Sequence, residues 1–179
     1  MLFRMQILRL FAILVLGVVS VPAQAAPGQC EHPEIDRSGL VSDVMFNVDI
    51  APYGGVCFVA RQTTYSAEFS WMNNYIEFEL LQNGKLVYTL PRPKRFLWIG
   101  GCRVLAVGFP KLGADERRSV IVLGLCPTAR DELLQPLIYL PDGDGFKVDI
   151  DLSDKTAGLD TIAKVIHKVK KLLAHPDKR

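Results

Sequence analysis

The segment YIEFELLQNGKLVYTL, residues 75–90, decides the fold. Apolar and acidic side chains alternate between residues 76 and 80, a pattern typical of a strand with one buried face. Asn83 and Gly84 then supply the positive φ angles of a two-residue hairpin turn. Because residues 85–90 return along the first strand, the segment predicts an antiparallel hairpin.

The apolar residues of the returning strand do not fall on the same face of the sheet as those of the first strand. Counted across a two-residue turn, Leu86, Tyr88 and Leu90 fall on the side of the sheet that carries Glu77 and Glu79. Either that side is partly covered, or the loop is longer than two residues. The sequence leaves both alternatives open.

Two further hairpins follow downstream. Residues 103–109 and 119–125 are strand-like, and residues 120–123 are continuously apolar, as in a strand covered on both faces. Residues 137–140 and 146–150 flank the turn sequence PDGDG. The hairpins predict an α+β fold, in which a mostly antiparallel sheet of about six to eight strands is packed by one C-terminal helix.

Four cysteines predict two disulfides: Cys30, Cys57, Cys102 and Cys126. No pair has the C-x-x-C spacing of redox or zinc motifs. If the strands on either side of residues 113–114 pair as a hairpin, Cys102 lies opposite Cys126 and can form a cross-strand bridge. Cys30 and Cys57 are then left to each other, and their bridge would tie the N-terminal segment to the sheet.

A helix is predicted from near Thr156 to near Ala174. Ser153 or Asp154 can cap its N-terminus, and Pro176 ends it. Its apolar residues have three-and-four spacing and form one stripe that we expect to cover a face of the sheet. The stripe consists of Leu159, Ile162, Ile166, Val169 and Leu173.

The first 25 residues have the pattern of an export signal. Arg4 and Arg9 are followed by an apolar run over residues 10–21, and residues 23–25 have the small-x-small pattern of a cleavage site. The run is shorter than the roughly 20 residues that cross a bilayer as a helix. We therefore expect residues 1–25 to be removed, and the remaining chain not to be embedded in a membrane.

The rest of the chain divides into an N-terminal arm over residues 26–40 and a single α+β domain over residues 41–175. Residues 1–25 contain two of the 21 basic residues and none of the 19 acidic ones, so 19 of each remain after cleavage. A neutral chain gives no electrostatic case for binding nucleic acid. We expect the protein in the bacterial periplasm or secreted from the cell.

One stretch resembles a known repeat. Residues 109–122, FPKLGADERRSVIV, are similar to the FG-GAP/VCBS pattern F-x-D-x-N-x-D-G-x-x-D-I-I-V. Residues 138–146 resemble the hairpin that often follows this repeat, and residues 83–90 resemble the hairpin before it in single-blade exported bacterial proteins. The resemblance covers residues 75–150 and implies a propeller-like blade in which a calcium loop joins two antiparallel strands.

The calcium ligands of that repeat are not retained. Only one of the four matching positions has a carboxylate, and a lysine at the first position puts a cation where the ion would lie. We therefore expect no calcium in this loop and no cofactor in the chain. The four positions are Lys111, Gly113, Asp115 and Ser119. Asp142 and Asp144 are the other calcium candidates, but their alternation with glycine is typical of a hairpin turn.

The candidate binding residues are Arg92, Lys94, Arg95 and Trp98, because arginine and tryptophan are enriched at binding hot spots. In the alternative interpretation, the segment is a solvated linker whose Phe96 and Trp98 turn inward. The sequence contains no recognisable catalytic motif. We expect a non-catalytic binding or scaffold module of the cell envelope, whose partner is an envelope protein or an anionic glycan. The alternatives are an exported hydrolase with an unrecognised site and a periplasmic inhibitor that acts through a protruding loop over residues 90–96.

Overall fold

A computed structural model describes residues 28–64, 74–93, 98, 102–113 and 116–175. The predicted signal lies outside these residues. In chain order the strands are β1 (Leu40–Ile50), β2 (Gly54–Thr64), β3 (Asn74–Gln82), β4 (Lys85–Thr89), β5 (Arg103–Gly108), β6 (Val120–Pro127), β7 (Glu132–Asp142) and β8 (Gly145–Val148), followed by the helices α1 (Ile150–Lys155) and α2 (Ile162–Ala174). The predicted α+β class, with antiparallel strands and a C-terminal helix, is confirmed.

The strands form two four-stranded sheets rather than one. Sheet A has the order β1-β2-β3-β4, and sheet B has the order β5-β6-β7-β8. The two sheets face each other across one core, in which Phe58 and Phe78 of sheet A meet Val122 and Tyr139 of sheet B. The rings of Phe78 and Tyr139 meet edge to face, with their centroids 6.2 Å apart.

Each sheet also has a covered outer face, which explains the continuously apolar strands. On sheet A, Cys57 and Val59 lie under Ile35 of the N-terminal arm. On sheet B, Ile121 and Ile138 lie under α1 and α2. Because both faces of these strands are covered, side chains on either face are buried, and buried and exposed residues do not simply alternate.

Both predicted disulfides are present. Cys102 and Cys126 join the start of β5 to β6, with a Cα–Cα distance of 4.1 Å. Cys30 and Cys57 join the N-terminal arm to β2, with a Cα–Cα distance of 4.8 Å. Each bridge links the segment before the first strand of a sheet to the second strand of that sheet.

The β3–β4 hairpin has the predicted two-residue turn, because Asn83 and Gly84 have φ angles of 51° and 77°. The mismatch in its pattern comes from a bulge. Leu81 is opposite Leu86, but Leu80 is opposite Tyr88, so Val87 is an extra residue. The bulge returns Tyr88 to the core side and leaves Leu86 exposed.

The predicted C-terminal helix begins too early. A separate helix, α1, ends at Lys155, and Gly158 has a φ of 80°, which interrupts helical geometry. Thr161 caps α2 by accepting a hydrogen bond from the Lys164 backbone N–H at 3.3 Å. Ser153, which was expected to be a cap, is instead buried within α1. No helix in the described part of the chain is long and apolar enough to span a bilayer.

Candidate binding cleft

One lateral edge of the two-sheet core, where β4 faces β8, is closed by tyrosines. The Tyr88 hydroxyl oxygen accepts a hydrogen bond from the Phe146 backbone N–H at 3.0 Å. The Tyr53 hydroxyl donates to the Asp144 carbonyl at 2.8 Å, and the Tyr53 and Tyr88 rings lie 5.3 Å apart. These contacts join the two sheets directly.

At the opposite edge, no strand pairing joins β1 to β5 among the described residues. A cleft of about 580 Å³ lies between β1 of sheet A and β5 of sheet B. This volume falls within the roughly 300–1,000 Å³ range of small-molecule sites. The two strands line it with apolar residues, three from β1 and four from β5: Val41, Val44, Phe46, Val104, Leu105, Ala106 and Val107.

Bulges in both strands explain why this edge stays open. Residues 41–44 of β1 lie opposite the single residue Ala60 of β2. In β5, the residues on either side of Leu105 pair with two adjacent residues of β6, so Leu105 is an extra residue. Because a bulge bends its strand and interrupts the row of backbone partners, β1 and β5 do not form a regular ladder with each other. The sandwich does not close into a barrel here.

The polar side chains of the cleft lie at its mouth. Arg103, Asp43 and Gln62 line the cleft and are exposed, whereas Val44 is buried. Arg103 has no ion-pair partner among the residues that the structure describes. Asp43, in contrast, does interact with another group. An apolar interior with a few polar groups at the entrance is the usual composition of a ligand site.

The basic segment that was predicted to bind does not line this cleft. Arg92 is exposed, but its Nε donates to Glu77 Oε1 at 2.9 Å, and its guanidinium lies 4.2 Å above the Tyr75 ring centre. Arg92 is therefore held on sheet A by an ion pair and a cation–π contact. Lys94 and Arg95 lie outside the described residues.

Trp98 is a core residue, which agrees with the alternative in which it turns inward. It is 5% exposed, and its ring lies edge-on to Phe78 with the centroids 5.9 Å apart. It turns inward because Gly124 of β6 has no side chain to obstruct the indole. A partner on the surface could not contact most of this ring.

The residues of the calcium-type loop take part in other contacts. Lys111 Nζ lies 2.7 Å from Glu116 Oε2, and the Ser119 hydroxyl is buried without a hydrogen-bond partner among the described residues. Gly113 is exposed, and Asp115 lies outside the described residues.

The two turn aspartates also take part in contacts, Asp142 through its side chain and Asp144 through its backbone carbonyl. Asp142 lies 3.7 Å from Lys147 Nζ, and the Asp144 carbonyl accepts from Tyr53. Within the described ranges, no three His, Cys, Asp or Glu side chains are placed to hold a metal ion. The absence of calcium stays a prediction.

Shifted carboxylate pKa values occur at structural contacts. The backbone N–H and hydroxyl of Ser38 donate to Asp36 and lower the pKa of that carboxyl. A hydrogen bond from Lys164 lowers the pKa of Asp160, just before α2. The first carboxylate belongs to the N-terminal arm and the second to a helix start, and neither lines the cleft.

No family model matches the chain, and neither does any curated protein or solved structure. The resemblance to the FG-GAP/VCBS repeat therefore stays a prediction. Fold and site define the molecule as a two-sheet, disulfide-linked sandwich with helices on one face and an open cleft at one edge. The cleft was missed in the sequence because bulges, rather than a motif, create it.

Proposed function

We propose that this protein is an exported, non-catalytic binding module of the bacterial envelope, and that the cleft between β1 and β5 is its binding site. The observation that carries the proposal is the contrast between the two edges of the sandwich. Tyrosines close one edge, whereas the other keeps an apolar cleft of about 580 Å³. Exposed apolar surface costs free energy in water, so a ligand that covers it gains that free energy on binding.

The cysteines support the proposed compartment. All four form disulfides, as expected in an oxidising space such as the periplasm or the cell exterior. The export pattern over residues 1–25 points to the same compartment. The location that we propose is the periplasm or the cell exterior.

A neutral apolar dye, Nile red, tests whether the cleft binds. Wild-type protein is expected to bind the dye saturably, with a rise in its fluorescence. Ala106→Trp places an indole in the cleft from the β5 wall and is expected to weaken binding at least tenfold. Val41→Trp makes the equivalent change from the β1 wall, so the test survives if one variant fails to fold.

Ala163→Trp is the matched control, because Ala163 is exposed on α2 and does not line the cleft. Its dye affinity is expected to equal that of wild type. Thermal unfolding of each variant confirms that it is folded. The proposal fails if wild type shows no saturable binding, or if both cleft variants, once folded, bind as well as the control.

A further inference from the structure

Arg103 is the cation at the mouth of the cleft. It is exposed, lines the cleft, and begins β5 next to Cys102, whose disulfide anchors the start of that strand to β6. Among the described residues nothing neutralises its guanidinium. An anchored arginine at the entrance of an apolar cleft is suited to a carboxylate or phosphate oxygen.

Four other arginines have structural partners, which sets Arg103 apart. Arg61 pairs with Glu79 and Arg92 with Glu77. The guanidinium groups of Arg117 and Arg118 donate hydrogen bonds to backbone carbonyls. Arg37 and Arg130 have no ion pair within the described ranges either, but both are exposed residues that do not line the cleft.

The cleft walls favour an alkyl chain over an extended peptide. A peptide that adds to a sheet edge needs an unbroken row of backbone partners. Here the bulges at residues 41–44 and at Leu105 interrupt that row on both sides, and bulged edges resist strand addition. An alkyl chain needs only apolar surface, which valines and Phe46 supply.

Resting on the proposed function, we propose that the ligand is a long-chain carboxylate, whose alkyl chain fills the cleft and whose carboxylate binds the Arg103 guanidinium. Asp43 lines the same mouth, but no ion pair joins it to Arg103 within the described part of the chain. Binding then combines burial of the chain with a charge-assisted hydrogen bond at the entrance.

The test compares laurate with dodecanol, which has the same alkyl chain without the charge. Both are titrated into protein loaded with Nile red, below the concentration at which laurate forms micelles. Wild type is expected to bind laurate more tightly than dodecanol. Arg103→Gln is expected to weaken laurate binding roughly tenfold or more, the usual effect of losing a charged hydrogen bond, and to leave dodecanol binding unchanged.

Arg130→Gln is the control and is expected to behave as wild type with both ligands. The inference is overturned if laurate and dodecanol bind equally well, or if Arg103→Gln keeps full laurate affinity. It is also overturned if an extended apolar peptide displaces the dye and neither laurate nor dodecanol does. In each of these cases, Nile red binding by Ala106→Trp tests the proposed function separately. The proposed function stands as long as this variant binds the dye more weakly than wild type does.

Discussion

Trp98 approaches the backbone of β6 closely because residue 124 is a glycine. A Cβ atom built at Gly124 would lie 2.6 Å from Cη2 of the Trp98 indole and 2.7 Å from its Cζ2. The ring is enclosed by the inter-sheet core, where Phe78 contacts it edge-on. Because packed cores accommodate added atoms poorly, the indole has little room to move away.

Gly124→Ala is therefore expected to destabilise the protein by about 1–3 kcal/mol, the usual cost of overpacking a core. Gly55→Ala is the matched control, because a Cβ at Gly55 meets no atom within 4 Å. Urea unfolding monitored by fluorescence measures both variants. Equal stabilities for the two variants would show that the indole adjusts without cost.

At the scale of single residues, the sequence left the direction of Trp98 undecided. An aromatic residue next to a basic segment fits a surface contact as well as a core position. What decides between them is a glycine 26 positions further along the chain, and local patterns do not reveal such a partner. The same limit applies to Arg103, which looked like an ordinary first residue of a strand.

At the scale of elements, hairpins and the Cys102–Cys126 pairing were predictable because they depend on nearby residues and on a period of two. Bulges were not predictable, since packing on both sides of a strand decides where an extra residue fits. The start of α2 did have a local signal. Gly158 and Thr161 form a break followed by an N-cap, which places the helix start more accurately than the apolar stripe.

Arg61 on β2 binds the N-terminal arm and also forms an ion pair with Glu79 on β3. Arg61 Nε donates to Glu79 Oε2 at 3.0 Å, and the same guanidinium donates to backbone carbonyls of Ser38 and Asp36 in the arm. The side chains of Arg61 and Glu79 are 18% and 9% exposed. Removing one partner would leave the other charge mostly desolvated.

Glu79→Gln is accordingly expected to cost about 3 kcal/mol, as for other buried pairs that lose one charge. Glu132→Gln is the control, since Glu132 is exposed and has no ion pair within the described residues, and its effect is expected to stay below about 0.5 kcal/mol. Urea unfolding measures both variants. If they prove equally stable, the ion pair does not stabilise the fold.

At the scale of the whole molecule, the hairpins follow from local signals, but the division of the eight described strands into two sheets does not. Both faces of β2 are covered, one by sheet B and the other by the N-terminal arm. The opposed edges, one closed by Tyr88 and one open, arise only when the sheets meet. The candidate site is therefore a product of long-range packing, and no segment of the sequence encodes it alone.

Tyr139 links the stability of this two-sheet packing to pH. It is 1% exposed between the sheets, and burial raises the pKa of its hydroxyl far above the usual 10.0, with a smaller contribution from Tyr88. The folded protein keeps the proton that the unfolded chain releases above pH 10. Stability from this group is therefore complete below about pH 10 and falls as the pH rises further, by up to about 1.4 kcal/mol per pH unit.

Tyr139→Phe removes this titration and keeps the buried ring. Between about pH 9 and pH 11.5, the variant is expected to lose less stability than wild type, by up to about 2 kcal/mol. Tyr53, whose pKa is also raised by burial, continues to contribute a loss of the same sign in both proteins. Urea midpoints across this pH range measure the difference, and parallel losses in the two proteins would mean that the Tyr139 hydroxyl does not control the alkaline limit of the fold.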